Sequence, residues 1–144
     1  MVGLVSKGVL VGVVAAVVVV AAVAGFFLSQ TPTQPSGGKV YRIVSMKGSY
    51  VPPADWKFGD PPVFSDKYYN PSRLTINVGD TVEYVNEDET PHTFTSLKVP
   101  AGASRFDSGA VEPGKTFRYT FRVAGDYTVY CTLHPHKGVA ITVK

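Results

Sequence analysis

One cysteine, two methionines and three histidines are all the sulfur and imidazole donors that these 144 residues contain. A single cysteine excludes an internal disulfide. Charge is scarce in another way: from Leu10 to Leu28 there is no Asp, Glu, Lys or Arg at all. No internal repeat is visible, and no segment beyond Leu28 has a convincing helical pattern. The formal charge of +3 suggests a basic protein. Setting aside Lys7 and Lys39, however, 12 Lys and Arg face 11 Asp and Glu. No basic stripe interleaved with aromatics appears, which excludes a nucleic-acid partner.

The uncharged stretch is long enough to cross roughly 30 Å of hydrocarbon as a helix. Residues 1–28 are therefore expected to form a membrane anchor, and residues 29–39 ("SQTPTQPSGGK") a flexible linker. Ala22-Val23-Ala24 has the small-x-small form of a signal-peptidase site, so cleavage after Ala24 is the alternative. The apolar "GFFL" beyond it favours an uncleaved, single-pass anchor. In both cases Lys7 stays inside, and the remainder faces the extracytoplasmic side of the cell membrane, or is secreted or periplasmic if cleaved.

That remainder, residues 40–144, is long enough for one core. Val40–Met46 reads as a first strand. Lys47–Asn70 is dense in Pro, Gly and aromatics and reads as irregular. Arg73–Val78 and Thr81–Asn86 alternate about Gly79-Asp80 and read as a hairpin-like unit. His92–Leu97 follows as a strand. Phe117, Tyr119 and Phe121 alternate with Arg118, Thr120 and Arg122, one face buried and one wet. Tyr127–Tyr130 runs into Cys131, and Val139–Val143 closes the domain. About seven short strands at this spacing predict an all-β sandwich.

An unpaired cysteine in an outward-facing domain is either a small buried core residue or a metal thiolate, because an exposed free thiol would oxidise. Cys131 ends a strand, His134 lies on the turn after it, and His92 begins a strand 39 residues earlier. A Cys-x-x-His turn between strands can aim a thiolate and an imidazole at one point. A third donor from a neighbouring strand completes a trigonal His₂Cys set, the signature of a type 1 copper electron-transfer site. A structural zinc site wants four protein ligands. A cysteine protease needs an oriented pair beside an oxyanion hole, which nothing here supplies.

In "RLTINVGDTVEYVNEDETPHTF", "FDSGAVEPGKTFRYTF" and "GDYTVYCTLHPH" the chain resembles the cupredoxins, most closely their amicyanin and plastocyanin branch. The resemblance implies a Greek-key β-sandwich holding one copper ion that cycles between Cu(II) and Cu(I). By it His92, Cys131 and His134 map onto the equatorial ligands. Asn86 matches the asparagine tying the two ligand loops together, and Thr132 matches its usual partner. Amicyanin-like loops place an axial methionine three residues after the second histidine, and here that position is Lys137. Met46 gives no reason to reach the metal. The axial position is expected to be empty, filled by water, or served weakly by the Pro91 carbonyl. His136 is read as a solvent-exposed rim residue, with weak ligation as the alternative. Glu87-Asp88-Glu89 is read as a solvated loop.

Counting excludes the binuclear copper centre, which needs two cysteines, and the multicopper oxidases and copper nitrite reductases, which need more histidines. The expected function is single-electron transfer between redox partner proteins at the membrane. Electrons would enter at the edge of His134, ringed by Leu133, Pro135 and Pro91. Two alternatives remain: redox chemistry on a small molecule such as nitric oxide or nitrite at the open axial position, and copper binding or delivery without a redox role.

Overall fold

The alternation in VYRIVS becomes β1 (Val40–Ser45) in the computed structural model of the chain, which describes residues 37–144. The expected anchor and all but the last three linker residues lie outside the described residues. The other strands are β2 (Val63–Phe64), β3 (Tyr69–Asn70), β4 (Arg73–Ile76), β5 (Thr81–Asn86), β6 (Thr95–Lys98), β7 (Thr116–Thr120), β8 (Gly125–Tyr130) and β9 (Lys137–Val143). Among the described residues there is no helix.

Two sheets form. One runs β3-β1-β5-β7; the other runs β2-β9-β8-β6, with β4 also on β9. Among the described residues nine strands replace the seven expected, because the proline-rich stretch contributes the two-residue β2 and β3, which dock at sheet edges. There a proline leaves no donor missing from a central ladder. The sequence reading of β4 and β5 as a hairpin is overturned. β4 pairs in parallel with β9, whereas β5 pairs with β1 and β7. The turn at Gly79, with φ +93°, carries the chain from one sheet to the other. Both arrangements need the same local signals, alternation on either side of a left-handed glycine, so only partner choice separates them. Strand β6 also starts later than expected: His92 makes only an isolated bridge to Val111.

Between the sheets lie Ile43, Ile76, Val82, Phe94, Phe121, Val129, Val139 and Ile141, together with Tyr69 and Tyr84. Burying each large aliphatic or aromatic side chain contributes roughly 1.5–3 kcal/mol. This core fixes the strand ends. In the parallel β1–β5 pair, Ser45 is opposite Asn86, the last residue of each strand. Tyr130, the last residue of β8, is opposite Gly138 near the start of β9. The segments that leave these ends carry the chemistry.

Candidate metal centre

His92, Cys131 and His134 come together among the described residues, with one donor atom of each within 4.8 Å of the others. Cys131 Sγ is 3.6 Å from His92 Nδ1 and 3.8 Å from His134 Nδ1, and the two Nδ1 atoms are 2.9 Å apart. Bonds of about 2.0–2.1 Å to nitrogen and 2.3 Å to sulfur, as zinc makes, set donors about 3.5–3.8 Å apart around a trigonal centre. Both N···S distances fit, and the N···N distance is closer.

The groups behind the three donors sharpen the match. His92 Nε2 lies 2.7 Å from Asp88 Oδ2, with both side chains wholly buried. Asp88 Oδ1 accepts N–H bonds from Gly48 and Glu89; Oδ2 accepts from Tyr50 N–H and Ser49 O–H. Burial alone would raise its pKa. The bonds from His92, the two amides and Ser49 outweigh it and hold the carboxyl at about 2. An ionised carboxylate has no proton to give, so Nε2–H of His92 donates. That leaves the Nδ1 lone pair free to face the cysteine. Metal-ligating histidines are oriented by such carboxylates. Burial, then the charge of Lys137, pushes the His92 pKa down to about 4, which keeps the ring neutral. Burial likewise lowers the pKa of His134. Ligands must be free of protons to bind metal, and these imidazoles are.

Cys131 is fully buried, and its sulfur accepts the Thr93 N–H at 3.2 Å. Asn86, also fully buried, donates from Nδ2 to the carbonyls of Thr90 and Val111, each at 2.8 Å; Oδ1 accepts the Asp88 N–H at 3.0 Å. It therefore spans the loop ahead of His92. Thr132 N–H donates to Thr93 Oγ1 at 2.8 Å, and the two threonine hydroxyls are 3.1 Å apart, so Thr132 joins the cysteine loop to the His92 segment. Pro91 is half-buried just before His92, Leu133 is 53% exposed, and Tyr50 packs near the His134 ring.

Two expectations change, and Lys137 gains a place. His136 is not at an exposed rim: it is 2% exposed, with Nε2 bonded to the Ser49 carbonyl at 3.0 Å and its ring between Trp56 and Tyr68. Trp56 and Tyr68, from the aromatic stretch before β3, pack on His136 and cover it. Nor is the acidic run wholly solvated. Glu87 and Glu89 are exposed, but Asp88 turns inward to meet five donors. The only sequence signal for this is its position four residues before His92. Lys137 is fully buried and sends Nζ to Ser45 Oγ and Ser49 Oγ, above the Tyr69 ring at 4.8 Å. Burial lowers its pKa to about 8, against the pull of Cys131 and Asp88.

A family model described as copper binding proteins, plastocyanin/azurin family, matches residues 65–144. A plastocyanin of Prochlorothrix hollandica is 39% identical over 84 residues, 54% of this chain and 63% of that protein. An amicyanin of Paracoccus versutus is 35% identical over 69 residues, 48% of this chain and 52% of that protein. The chain thus spans less than two thirds of the length of these relatives. A purple cupredoxin from Nitrosopumilus maritimus superposes with a TM-score of 0.56 and 27% identity, over 72% of this chain and 98% of that one. A reduced amicyanin variant shares the fold, with a TM-score of 0.51 and 24% identity over 78% of this chain and 87% of its own.

Proposed function

Because the chain belongs to the plastocyanin/azurin family of copper-binding proteins, we propose that it is a membrane-tethered carrier of single electrons, with its one copper held by His92, Cys131 and His134. The observation that carries this reading is the convergence of one cysteine sulfur and two imidazole Nδ1 atoms, with Asp88 fixing the tautomer of His92. Copper, when bound there, supplies the Cu(II)/Cu(I) couple. The protein supplies a nearly fixed cage. Cys131 is held by Thr93, His92 by Asp88, and the loops by Asn86 and Thr132. Donors held this way change position little when the charge between them changes.

His134 is the least buried of the three donors, beside the exposed Leu133. Its edge is the proposed entry and exit for electrons, and the surrounding Leu133, Pro135 and Pro91 form the surface that meets a partner protein. The uncharged stretch Leu10–Leu28 supports a single-pass anchor with the copper domain on the extracytoplasmic side. A tether raises the effective concentration toward a membrane-bound partner.

Loading the full-length chain with Cu(II) tests the reading. An intense thiolate-to-copper absorption and a type 1 electron-paramagnetic-resonance signal are expected. Their absence would overturn it.

A specific observation favours a second reading, redox chemistry on a small molecule such as nitric oxide or nitrite. The residue at the position of the family's axial methionine is Lys137, and its side chain is engaged by Ser45 and Ser49. No thioether is offered from that position. A copper ion held by His92, Cys131 and His134 would then have water, or weakly the Pro91 carbonyl, as its further donor. A delivery role is disfavoured, because the donors are held by buried bonds rather than presented on a labile loop.

A further inference from the structure

Lys137 is a puzzle that electron transfer as such does not explain. It is fully buried, and its two hydrogen-bond partners, Ser45 and Ser49, are neutral hydroxyls only 3.1 Å from each other. Taking an ammonium out of water is costly unless an opposite charge is engaged. Cys131 and Asp88 both face it, and Asp88 is the one it engages by hydrogen bonds, through one shared atom. Ser49 Oγ accepts from Lys137 Nζ at 2.7 Å and donates to Asp88 Oδ2 at 3.0 Å. The same Oδ2 accepts from His92 Nε2 at 2.7 Å. A buried line of bonds thus runs from a lysine ammonium, through a hydroxyl and a carboxylate, to the back of a candidate copper ligand.

The sense of each bond decides what this line does. Bonds in a low-dielectric chain polarise one another. The ammonium draws on the Ser49 lone pair and makes its O–H a stronger donor. That O–H draws charge from Asp88 Oδ2, which then pulls less on the His92 N–H. His92 is left less electron-rich at Nδ1, and a poorer donor favours Cu(I) over Cu(II).

We propose that Lys137 is a positioning and charge-balancing residue which, through Ser49, offsets the Asp88 carboxylate behind His92 and so holds the reduction potential of the site high. This rests on the reading that His92 holds copper. A lysine serving only as packing needs none of this: an aliphatic side chain would fill the space beside Tyr69 without the cost of a buried charge.

The test uses the full-length chain and four variants: Lys137→Gln, which keeps a donor and removes the charge; Ser49→Ala, which cuts the line; Asp88→Asn; and Asp88→Asn with Lys137→Gln. Reduction potentials are measured at pH 6, and unfolding of the copper-free proteins is followed in urea. Lys137→Gln and Ser49→Ala should each shift the Cu(II)/Cu(I) ratio at fixed ambient potential about three- to tenfold toward Cu(II), a tenfold change being about 59 mV for one electron. Asp88→Asn should shift it the other way. In the Asp88→Asn background, Lys137→Gln should lose more than half of its effect, and the copper-free proteins should show the same non-additivity in unfolding. If Lys137→Gln lowers stability but leaves the potential in place, or if the two substitutions add, the proposal falls. Should Lys137→Gln fail to fold, Ser49→Ala decides alone. A parent without the thiolate absorption would overturn the copper reading and this proposal together. A parent with the absorption and an unmoved potential overturns this proposal only.

Discussion

Truncating Asn86 to alanine takes away no candidate ligand and no charge, yet it should loosen the site from behind. Three bonds disappear, the last two of them buried: Nδ2 to the Thr90 and Val111 carbonyls, and the Asp88 N–H to Oδ1. They are not equal. The Val111 carbonyl keeps the His92 N–H at 3.1 Å, so losing Asn86 leaves it satisfied. The Asp88 N–H has no such second partner and lies in a buried residue. A net value of about 1 kcal/mol for each of the two Nδ2 bonds, with about 1–3 kcal/mol for the buried Asp88 N–H left unpaired, gives a loss of roughly 3–5 kcal/mol. For a domain of this size that corresponds to a fall in melting temperature on the order of 10–30 °C. Because Asp88 sets the His92 tautomer, copper affinity should also fall, by about 10–100-fold for a group of this kind. Urea unfolding of the copper-free protein measures the first quantity, and competitive copper titration the second. A loss below about 0.5 kcal/mol, within the range of ordinary surface substitutions, together with unchanged affinity, would show that Asn86 does not hold the loops.

Cys131→Ser should abolish the thiolate absorption while the fold persists, since the serine oxygen can still accept the Thr93 N–H; a variant that kept the strong colour would refute the copper assignment. Azide, nitrite or nitric oxide should perturb the copper spectrum, and inserting Met between His136 and Lys137 should suppress that response. No spectral change at millimolar ligand would leave electron transfer alone. The copper-free protein should lose stability in acid because of Asp88, whose carboxyl is held at about 2 when folded against an ordinary value of 3.8. A depressed folded-state pKa means that the unfolded chain takes up the proton first. The contribution is therefore complete above about pH 4 and vanishes as the pH falls through about 2. Asp88→Asn should flatten that part of the stability profile, and an unaltered profile would show that the carboxylate contributes nothing there.

How much of this was legible beforehand depended on the range of the signal. Cys131 and His134 are three residues apart, so their pairing follows from one turn, and the resemblance supplied His92 and Asn86. Alternation in β1, β5 and β8 is local too, and their existence was readable from it. Partner choice was not. Arg73–Ile76 and Thr81–Asn86 carry the pattern of a hairpin, yet they lie in different sheets, β4 on β9 and β5 between β1 and β7, and alternation alone names no partner.

The sequence by itself determined that a lone thiolate and two imidazoles would meet on a β-sandwich, since the donors are few, Cys131 and His134 share one turn, and the family resemblance supplies His92 from 39 residues away. It could not decide which charged residues turn inward. Glu87, Asp88 and Glu89 are alike as text. Only the fold brings the amides of Gly48 and Tyr50 and the Ser49 hydroxyl, from a loop some 40 residues away, to meet Asp88. The same loop gives Lys137 its Ser49 partner and His136 its carbonyl. A buried charge is tolerable only where other groups solvate it, and the tertiary structure alone fixes where those groups stand.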